Sequence, residues 1–151
     1  MQRLRSGRSL STMGEAKEVL ERAIAAWNRG DVEGFVALAD PDVRIIASGG
    51  IDFRGAEGMR DYFALWRTAC PDNRVDCRNT VGVGDRAMGE GTFSGTHEGP
   101  LHHPAGAIPP TGRRLKVDFV GALHTADGKF ASFRTYFDVL DLMTQLGLIG
   151  A

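Results

Sequence analysis

The side chains of this sequence that could carry out chemistry lie mostly in its last third. Three histidines, His97, His102 and His103, precede two aspartates, Asp118 and Asp138. An imidazole titrates near neutral pH, and a carboxylate in an apolar pocket can do the same because burial raises its pKa. Proton transfer is therefore the chemistry that these residue types could perform.

Several other kinds of site are not indicated. His102 and His103 have no carboxylate or third ligand at metal-ligand spacing, so no metal site is predicted. Gly89, Gly91 and Gly95 lie in one predicted strand and match no phosphate-binding loop; they indicate a bent sheet or a close backbone approach. No G-x-S-x-G motif of a serine hydrolase occurs.

Length and composition indicate one globular domain of 151 residues, 42% hydrophobic and 25% charged, with a net charge of −1. This charge gives no reason to expect nucleic acid or a membrane as a partner, and no apolar run has the length of a membrane span. Cys70 and Cys77 have neither zinc-site nor disulfide-framework spacing. They are predicted to be small buried side chains in a reduced, cytoplasmic protein.

Residues 1–13 are predicted to form a disordered tail, and residues 14–151 a single domain. The first dozen residues contain three arginines and no acid. An export signal would also need an apolar run after them, which is missing.

Helical periodicity dominates the first half of the chain. A capping box of Thr12 and Glu15 is predicted to begin a first helix, which Gly30 ends. A second, short helix is predicted to end at Asp40-Pro41, because proline disfavours helical geometry in the residue before it. A third helix is predicted for about residues 56–69.

The second half is predicted to be mainly strands. Counting one short early strand, the predicted ranges are 43–47, 75–83, 86–97, 115–125 and 130–137. The last two strands are joined by an Asp127-Gly128 turn, and a closing helix covers 139–146. Helices followed by a strand-rich meander indicate an α+β fold with a curved antiparallel sheet. Wrapped around the N-terminal helices, such a sheet forms a cone with one pocket.

Short motifs in a characteristic order resemble the SnoaL-like polyketide cyclases. They are AWNRGD at 26–31, DPD at 40–42, GAEGM at 55–59, GTHEG at 95–99, IPPTGRR at 108–114, DGK at 127–129 and QLG at 145–147. The resemblance implies a nuclear-transport-factor-like cone that forms a homodimer or homotetramer. It also implies cofactor-free chemistry on a hydrophobic aromatic small molecule.

The sequence departs from this family at the position of its general acid/base. The family has an aspartate in the last strand, where the spacing to the flanking motifs places Thr135. A threonine hydroxyl can only donate or accept hydrogen bonds. His97 matches the family's Gly-Thr-His position and becomes the leading candidate for proton transfer. The alternative is a half-buried histidine that is bonded to a backbone carbonyl.

Alternation along the last two strands assigns their side chains to the inside or outside of the cone. The predicted inward residues are Ala131, Phe133, Thr135 and Phe137 in the last strand, and Val117, Phe119, Gly121 and Leu123 in the strand before. Asp118 and Asp138 fall on the outward side, where a solvated cross-strand charge and a helix N-cap are the alternatives. One bulge would reverse this parity, so both remain candidate acids.

The predicted wall of the pocket is aromatic. The residues predicted to contact substrate are Tyr62, Trp66, Phe119, Phe133, Phe137, His102 and His103. A purely structural core is the alternative for the two helical aromatics. His102 and His103 are predicted to lie in a loop, either as a lid over the pocket or simply exposed to solvent.

Three classes of function follow. The first is a cofactor-free enzyme of aromatic polyketide tailoring, either an aldol-type cyclase or a cofactor-independent ring hydroxylase with a separate reductase as partner. The second is a non-catalytic binding protein, which the missing acid favours. The third is a steroid-isomerase-like or epoxide-hydrolase-like enzyme, which would need a buried acid. Outward-facing Val120 and Ala122 could pair with another subunit.

Overall fold

The computed structural model describes residues 15–150, which form four helices and eight strands. The helices are α1 (Glu15–Asn28), α2 (Val32–Val36), α3 (Gly55–Ala69) and α4 (Val139–Gln145). The strands are β1 (Ala39–Ala47), β2 (Ile51–Arg54), β3 (Arg74–Val83), β4 (Arg86–Thr96), β5 (Leu101–His103), β6 (Gly106–Ile108), β7 (Arg114–Ala126) and β8 (Lys129–Phe137). Thr12 of the predicted capping box and the predicted tail at 1–13 lie outside the described residues.

Six of the strands form one curved sheet in the order β2-β1-β8-β7-β4-β3, and β5 pairs with β6 separately. The predicted α+β class is confirmed. The sheet is mixed rather than purely antiparallel, because β1 and β8 run parallel while their other neighbours are antiparallel. Alternation along a strand reports which face is buried but not the direction of its partner, so the sequence did not reveal the parallel pair.

The helices pack on the concave face of this sheet and enclose the core. Helix α1 buries a stripe from Ala16 to Trp27, and α3 buries a stripe from Met59 to Trp66. Trp27 packs edge-to-face on Phe35 and Phe63, and its indole N–H donates to Asn73 Oδ1 at 2.7 Å. These contacts of Trp27 fix α1 against α2 and α3, over the sheet. No helix among the described residues combines the length and apolarity needed to cross a membrane.

Three local predictions differ from the structure. Helix α2 ends at Val36, and Asp40-Pro41 already belongs to β1. The pairing of β1 with β8 is irregular between Ala39 and Arg44, as expected where proline cannot donate to the ladder. Strand β2 was not predicted, because it has only four residues and follows the Gly49-Gly50 turn, where both glycines have positive φ.

The loop that carries the paired histidines is a small hairpin, since β5 and β6 pair from Leu101–Ile108 to His103–Gly106. In β8, Phe130 rather than Ala131 lines the interior, because the pairing of β7 and β8 shifts between His124 and Thr125. This is the kind of irregularity that reverses strand parity over a short stretch.

Helix α4 is fastened to β7 beyond the point where β8 ends. The Gln145 side-chain amide accepts a hydrogen bond from Lys116 N at 2.8 Å and donates one to Lys116 O at 2.9 Å. A side chain thus takes the place of a neighbouring strand there. The same helix brings Leu142 into contact with the interior of the cone.

Candidate active site

A cavity of about 110 Å³ lies between the concave face of the sheet and helices α1 and α3, with Leu142 of α4 at one side. Its walls are mainly apolar. Five of the seven side chains predicted to contact substrate line it, as does Thr135; the five are Tyr62, Trp66, Phe119, Phe133 and Phe137. A concave apolar space with few polar groups is typical of a small-molecule site.

The floor of the cavity is a row of small residues that runs across three strands. Thr135 of β8 pairs with Gly121 of β7, which pairs with Gly89 of β4. A Cβ atom at Gly121 would meet the Phe133 ring at 2.9 Å, and one at Gly89 would meet Cys77 Sγ at 2.7 Å. The missing side chains therefore provide the space that the ring, the thiol and the cavity occupy. We call Thr135, Gly121 and Gly89 the glycine floor.

The polar groups of the cavity are concentrated at one end of this floor. Tyr62 is buried, and burial raises its pKa to about 12, although the nearby Thr135 hydroxyl and Trp66 indole oppose the shift. The Tyr62 phenol is therefore neutral at pH 7. Thr135 Oγ1 is buried and has no partner in normal hydrogen-bond geometry among residues 15–150. A buried hydroxyl in this condition is costly unless something else bonds to it.

His97 is completely buried but does not line the cavity. Its Nδ1 accepts from Thr111 N at 3.2 Å and lies 3.0 Å from Thr111 Oγ1. Its backbone N–H donates to Arg113 O, and its C=O accepts from Gly112 N. The ring and backbone of His97 therefore join the two ends of the segment 97–113, which leaves the sheet after β4 and returns to it at β7. The ring is fully buried, whereas the structural alternative placed it half-buried; its Nδ1 accepts from a backbone amide, and the Gly99 backbone lies close enough to act on its pKa.

Burial lowers the pKa of His97. The unfolded chain binds a proton at this residue near pH 6.5, but the folded chain does so only at lower pH. The unfolded state therefore holds more protons in this window, and the free energy of unfolding should fall as the pH drops below about 6.5. Denaturant titrations at several pH values should show this slope in the wild type and in His102→Gln. A slope that persists unchanged in His97→Asn would contradict the assignment.

The two candidate acids lie outside the cavity. Asp118 is on the outer face of β7, with its side chain 83% exposed, 3.6 Å from Arg78 and accepting from Thr92 Oγ1. Asp138 caps α4 and accepts from Asp141 N at 3.0 Å. Both side chains occupy the outward positions that alternation indicated. Neither side chain lines the cavity.

His102 and His103 also lie away from the cavity lining, at exposed positions of the β5–β6 hairpin. His103 Nδ1 accepts from Ala105 N, which leaves Nε2–H to donate to Gly49 O at 3.0 Å. This ties the hairpin to the turn between β1 and β2. Across residues 15–150, His, Cys, Asp and Glu side chains do not gather in groups of three or more that could hold a metal ion.

Sequence reasoning missed two features of the site. Cys70 is buried as predicted, but Cys77 is only half-buried and lines the cavity. The glycine floor was missed as a unit, since it depends on the register that aligns Gly89 with Gly121. Inward-facing glycines in two consecutive strands were the available signal, and only the register could show that they are neighbours.

A curved sheet wrapped over helices, with an apolar cavity inside, defines the class of nuclear-transport-factor-like α+β folds. Within this class the chain belongs to the SnoaL-like polyketide cyclase family, whose model matches residues 17–146. The resemblance seen in the motifs is confirmed. Among curated proteins, none matches the chain significantly.

Solved structures share the fold across nearly the whole chain. A candidate SnoaL-like polyketide cyclase from Jannaschia sp. CCS1 is 21% identical, with a TM-score of 0.80, and the match covers 99% of this chain and 100% of that one. TsrD from Streptomyces laurentii is 31% identical, with a TM-score of 0.76 and coverage of 90% and 97%. AclR, a candidate hydroxylase from Streptomyces galilaeus, is 25% identical, with a TM-score of 0.75 and coverage of 92% and 85%.

Proposed function

We propose that this chain is an enzyme of aromatic polyketide tailoring that hydroxylates an activated ring carbon without a cofactor of its own. One observation carries the choice of reaction. Among the described residues, the cavity lining contains no carboxylate and no imidazole. An aldol cyclisation needs a group that removes a proton near neutral pH. Thr135 cannot do this, and Tyr62, with a pKa of about 12, is a donor rather than a base.

A hydroxylation in which the substrate itself activates oxygen places smaller demands on the protein. A separate NADPH-dependent reductase first converts a quinone substrate to its hydroquinone. The electron-rich ring carbon then bonds to dioxygen and forms a hydroperoxide. Loss of water leaves the quinone with one new hydroxyl group. NADPH supplies two electrons and the C–H bond two, and the second oxygen atom leaves as water.

The contribution of this chain would be an apolar enclosure with one polar end. Apolar walls exclude bulk water from the reacting ring, and neutral donors stabilise negative charge that develops on a ring oxygen. Similarity to AclR, itself a candidate hydroxylase, supports the same reaction class. A cyclase would need another acid to enter the cavity, and neither Asp118 nor Asp138 is among the residues that line it.

A non-catalytic binding protein is the second candidate, and the same lack of an acid or imidazole in the cavity favours it. The binding protein differs from the hydroxylase in one expected result: the aromatic ligand binds and is not changed. The isomerase-like and hydrolase-like alternatives require a buried carboxylate, and none lines the cavity within residues 15–150.

Product analysis by mass spectrometry distinguishes these functions. The protein would be incubated with an anthraquinone polyketide ester, with and without a quinone reductase and NADPH, under heavy-isotope-labelled dioxygen. A product heavier by one labelled oxygen atom, formed only when both proteins are present, is the expected result. Reductase alone is the control. An isomer of unchanged mass would indicate a cyclase instead, and unchanged substrate that remains bound would indicate a binding protein.

A further inference from the structure

We propose that the Tyr62 and Thr135 hydroxyls together bind one carbonyl oxygen of a planar aryl ketone or quinone, whose ring lies against the Phe133 ring that covers Gly121 of the glycine floor. This inference deepens the proposed function and rests on it for the identity of the substrate. It gives both residues a role in ligand binding. The position of the family's general acid/base, which Thr135 occupies, does not by itself imply such a role. The argument has three parts: the supply of hydrogen-bond donors, the shape of the floor, and the size of the cavity.

The donors at the polar end outnumber the acceptors available to them. The Trp66 indole can only donate, and it lies close enough to the Tyr62 hydroxyl to affect its ionisation. If Trp66 N–H donates to the Tyr62 oxygen, the Tyr62 and Thr135 protons are left with no acceptor other than each other's oxygen. Thr135 Oγ1 indeed has no regular partner among residues 15–150. The group that satisfies this cluster is an acceptor oxygen such as a carbonyl.

The floor favours a flat ligand. Three paired strands contribute Thr135, Gly121 and Gly89 in one row. Neighbouring strands are about 4.8 Å apart, so the row is roughly 10 Å long. The Phe133 ring covers Gly121 and the Cys77 thiol covers Gly89, and both line the cavity together with the aromatic rings of Tyr62 and Trp66. A planar ring that stacks on the Phe133 ring would have its edge near the Thr135 hydroxyl, since the two residues are neighbours on the same face of β8.

The size of the cavity limits how much of a ligand it can enclose. Its volume is about 110 Å³. A dry apolar cavity of roughly 150 Å³ is known to bind benzene. The cavity is smaller than this, so a ring that enters it must displace some of the lining side chains or keep part of its edge outside. Further rings of a polycyclic substrate would have to extend beyond the cavity or displace its lining. The ring that enters would be the one presented for reaction.

A pair of probes that differ by one oxygen atom tests the assignment. Indanone carries a carbonyl on a fused aromatic ring, and indane lacks it. Binding of each would be measured by titration calorimetry, without reductase or NADPH, to the wild type, Tyr62→Phe and Thr135→Val. We expect either substitution to weaken indanone roughly three- to tenfold, the range of one neutral hydrogen bond. Binding of indane should change less than about twofold in the same variants.

Tyr136→Phe is the matched control, because the only other tyrosine lies on the outer face of the same strand as Thr135 and is 56% exposed. It should leave both affinities unchanged. Thermal unfolding would confirm that each variant is folded. Equal loss of indanone and indane affinity in Tyr62→Phe and Thr135→Val, or no loss of either, would overturn the assignment.

The outcome is separable from that of the proposed reaction. Selective loss of indanone binding with no hydroxylated product in the isotope experiment would support the carbonyl site and reject the hydroxylase. A hydroxylated product together with unchanged indanone binding in both variants would support the hydroxylase and reject the carbonyl site.

Discussion

Replacing Gly91 with alanine is expected to lower the free energy of unfolding by about 3 kcal/mol or more, one of the two largest effects that we expect of any single change. The pairing of β3 with β4 shifts register between Cys77 and Asn79. Beside this irregularity, a Cβ at Gly91 would lie 2.1 Å from Asp76 O and 2.8 Å from the Cys77 Cα. Both contacts are with backbone atoms, which cannot rotate out of the way. Urea unfolding of the two proteins measures the difference.

Gly121→Ala is the matched comparison for Gly91→Ala. Its Cβ would meet only the far end of the Phe133 ring, at 2.9 Å, and this ring can move. We expect a loss of about 1 kcal/mol or less in stability. Because Gly121 lies in the glycine floor, the main effect should be weaker binding of indane and indanone alike. Equal destabilisation by the two alanines would show that the bulge beside Gly91 is more compliant than its geometry indicates.

Thr135→Asp is expected to make the stability of the domain strongly dependent on pH. A carboxyl group at this position would be surrounded by apolar side chains, and burial raises the pKa of such a group above the value of about 3.9 in the unfolded chain. Between those two values the folded protein holds more protons than the unfolded one. The free energy of unfolding should therefore fall as pH rises from about 4 towards 7, by roughly 3 kcal/mol.

Denaturant titrations of Thr135→Asp at pH 4 and pH 7 would measure this fall. Tyr136→Asp, on the exposed side of the same strand, should show little of it. Equal stability of Thr135→Asp at both pH values would mean that the introduced carboxylate reaches solvent. The same variant restores the residue type that the family has here. If it closes a ring on a substrate that the wild type only binds, the cavity has kept its ligand while its reaction has changed.

The sequence predicted most elements of this fold because their signals are local. The stripes of α1 and α3, and the alternation of Val117, Phe119 and Gly121, follow directly from which residues must avoid water. The parallel pairing of β1 with β8 was not predicted, since it joins segments from opposite ends of the chain. The shift that turns Phe130 inward is likewise set by the partner strand.

The site was predicted in part for the same reason. Tyr62, Trp66 and Thr135 could be placed on inward faces from their own elements, and they meet in the cavity. His97 could not, because its position depends on where the chain leaves β4 and on the contact with Thr111, fourteen residues later along the chain. The roles of all these residues in binding or reaction stay predictions.

The parallel pair of β1 and β8 also affects the order in which the molecule can assemble. Ala47 pairs with Thr135, and Ile45 with Phe133, so the centre of the sheet closes only after nearly the whole chain has been synthesised. Pairing between such distant segments slows folding, because the entropy of a long loop must be lost first. Until β8 arrives, one edge of β1 is an open template for other strands. The cavity, whose floor begins on β8, is therefore among the last parts of the domain to form.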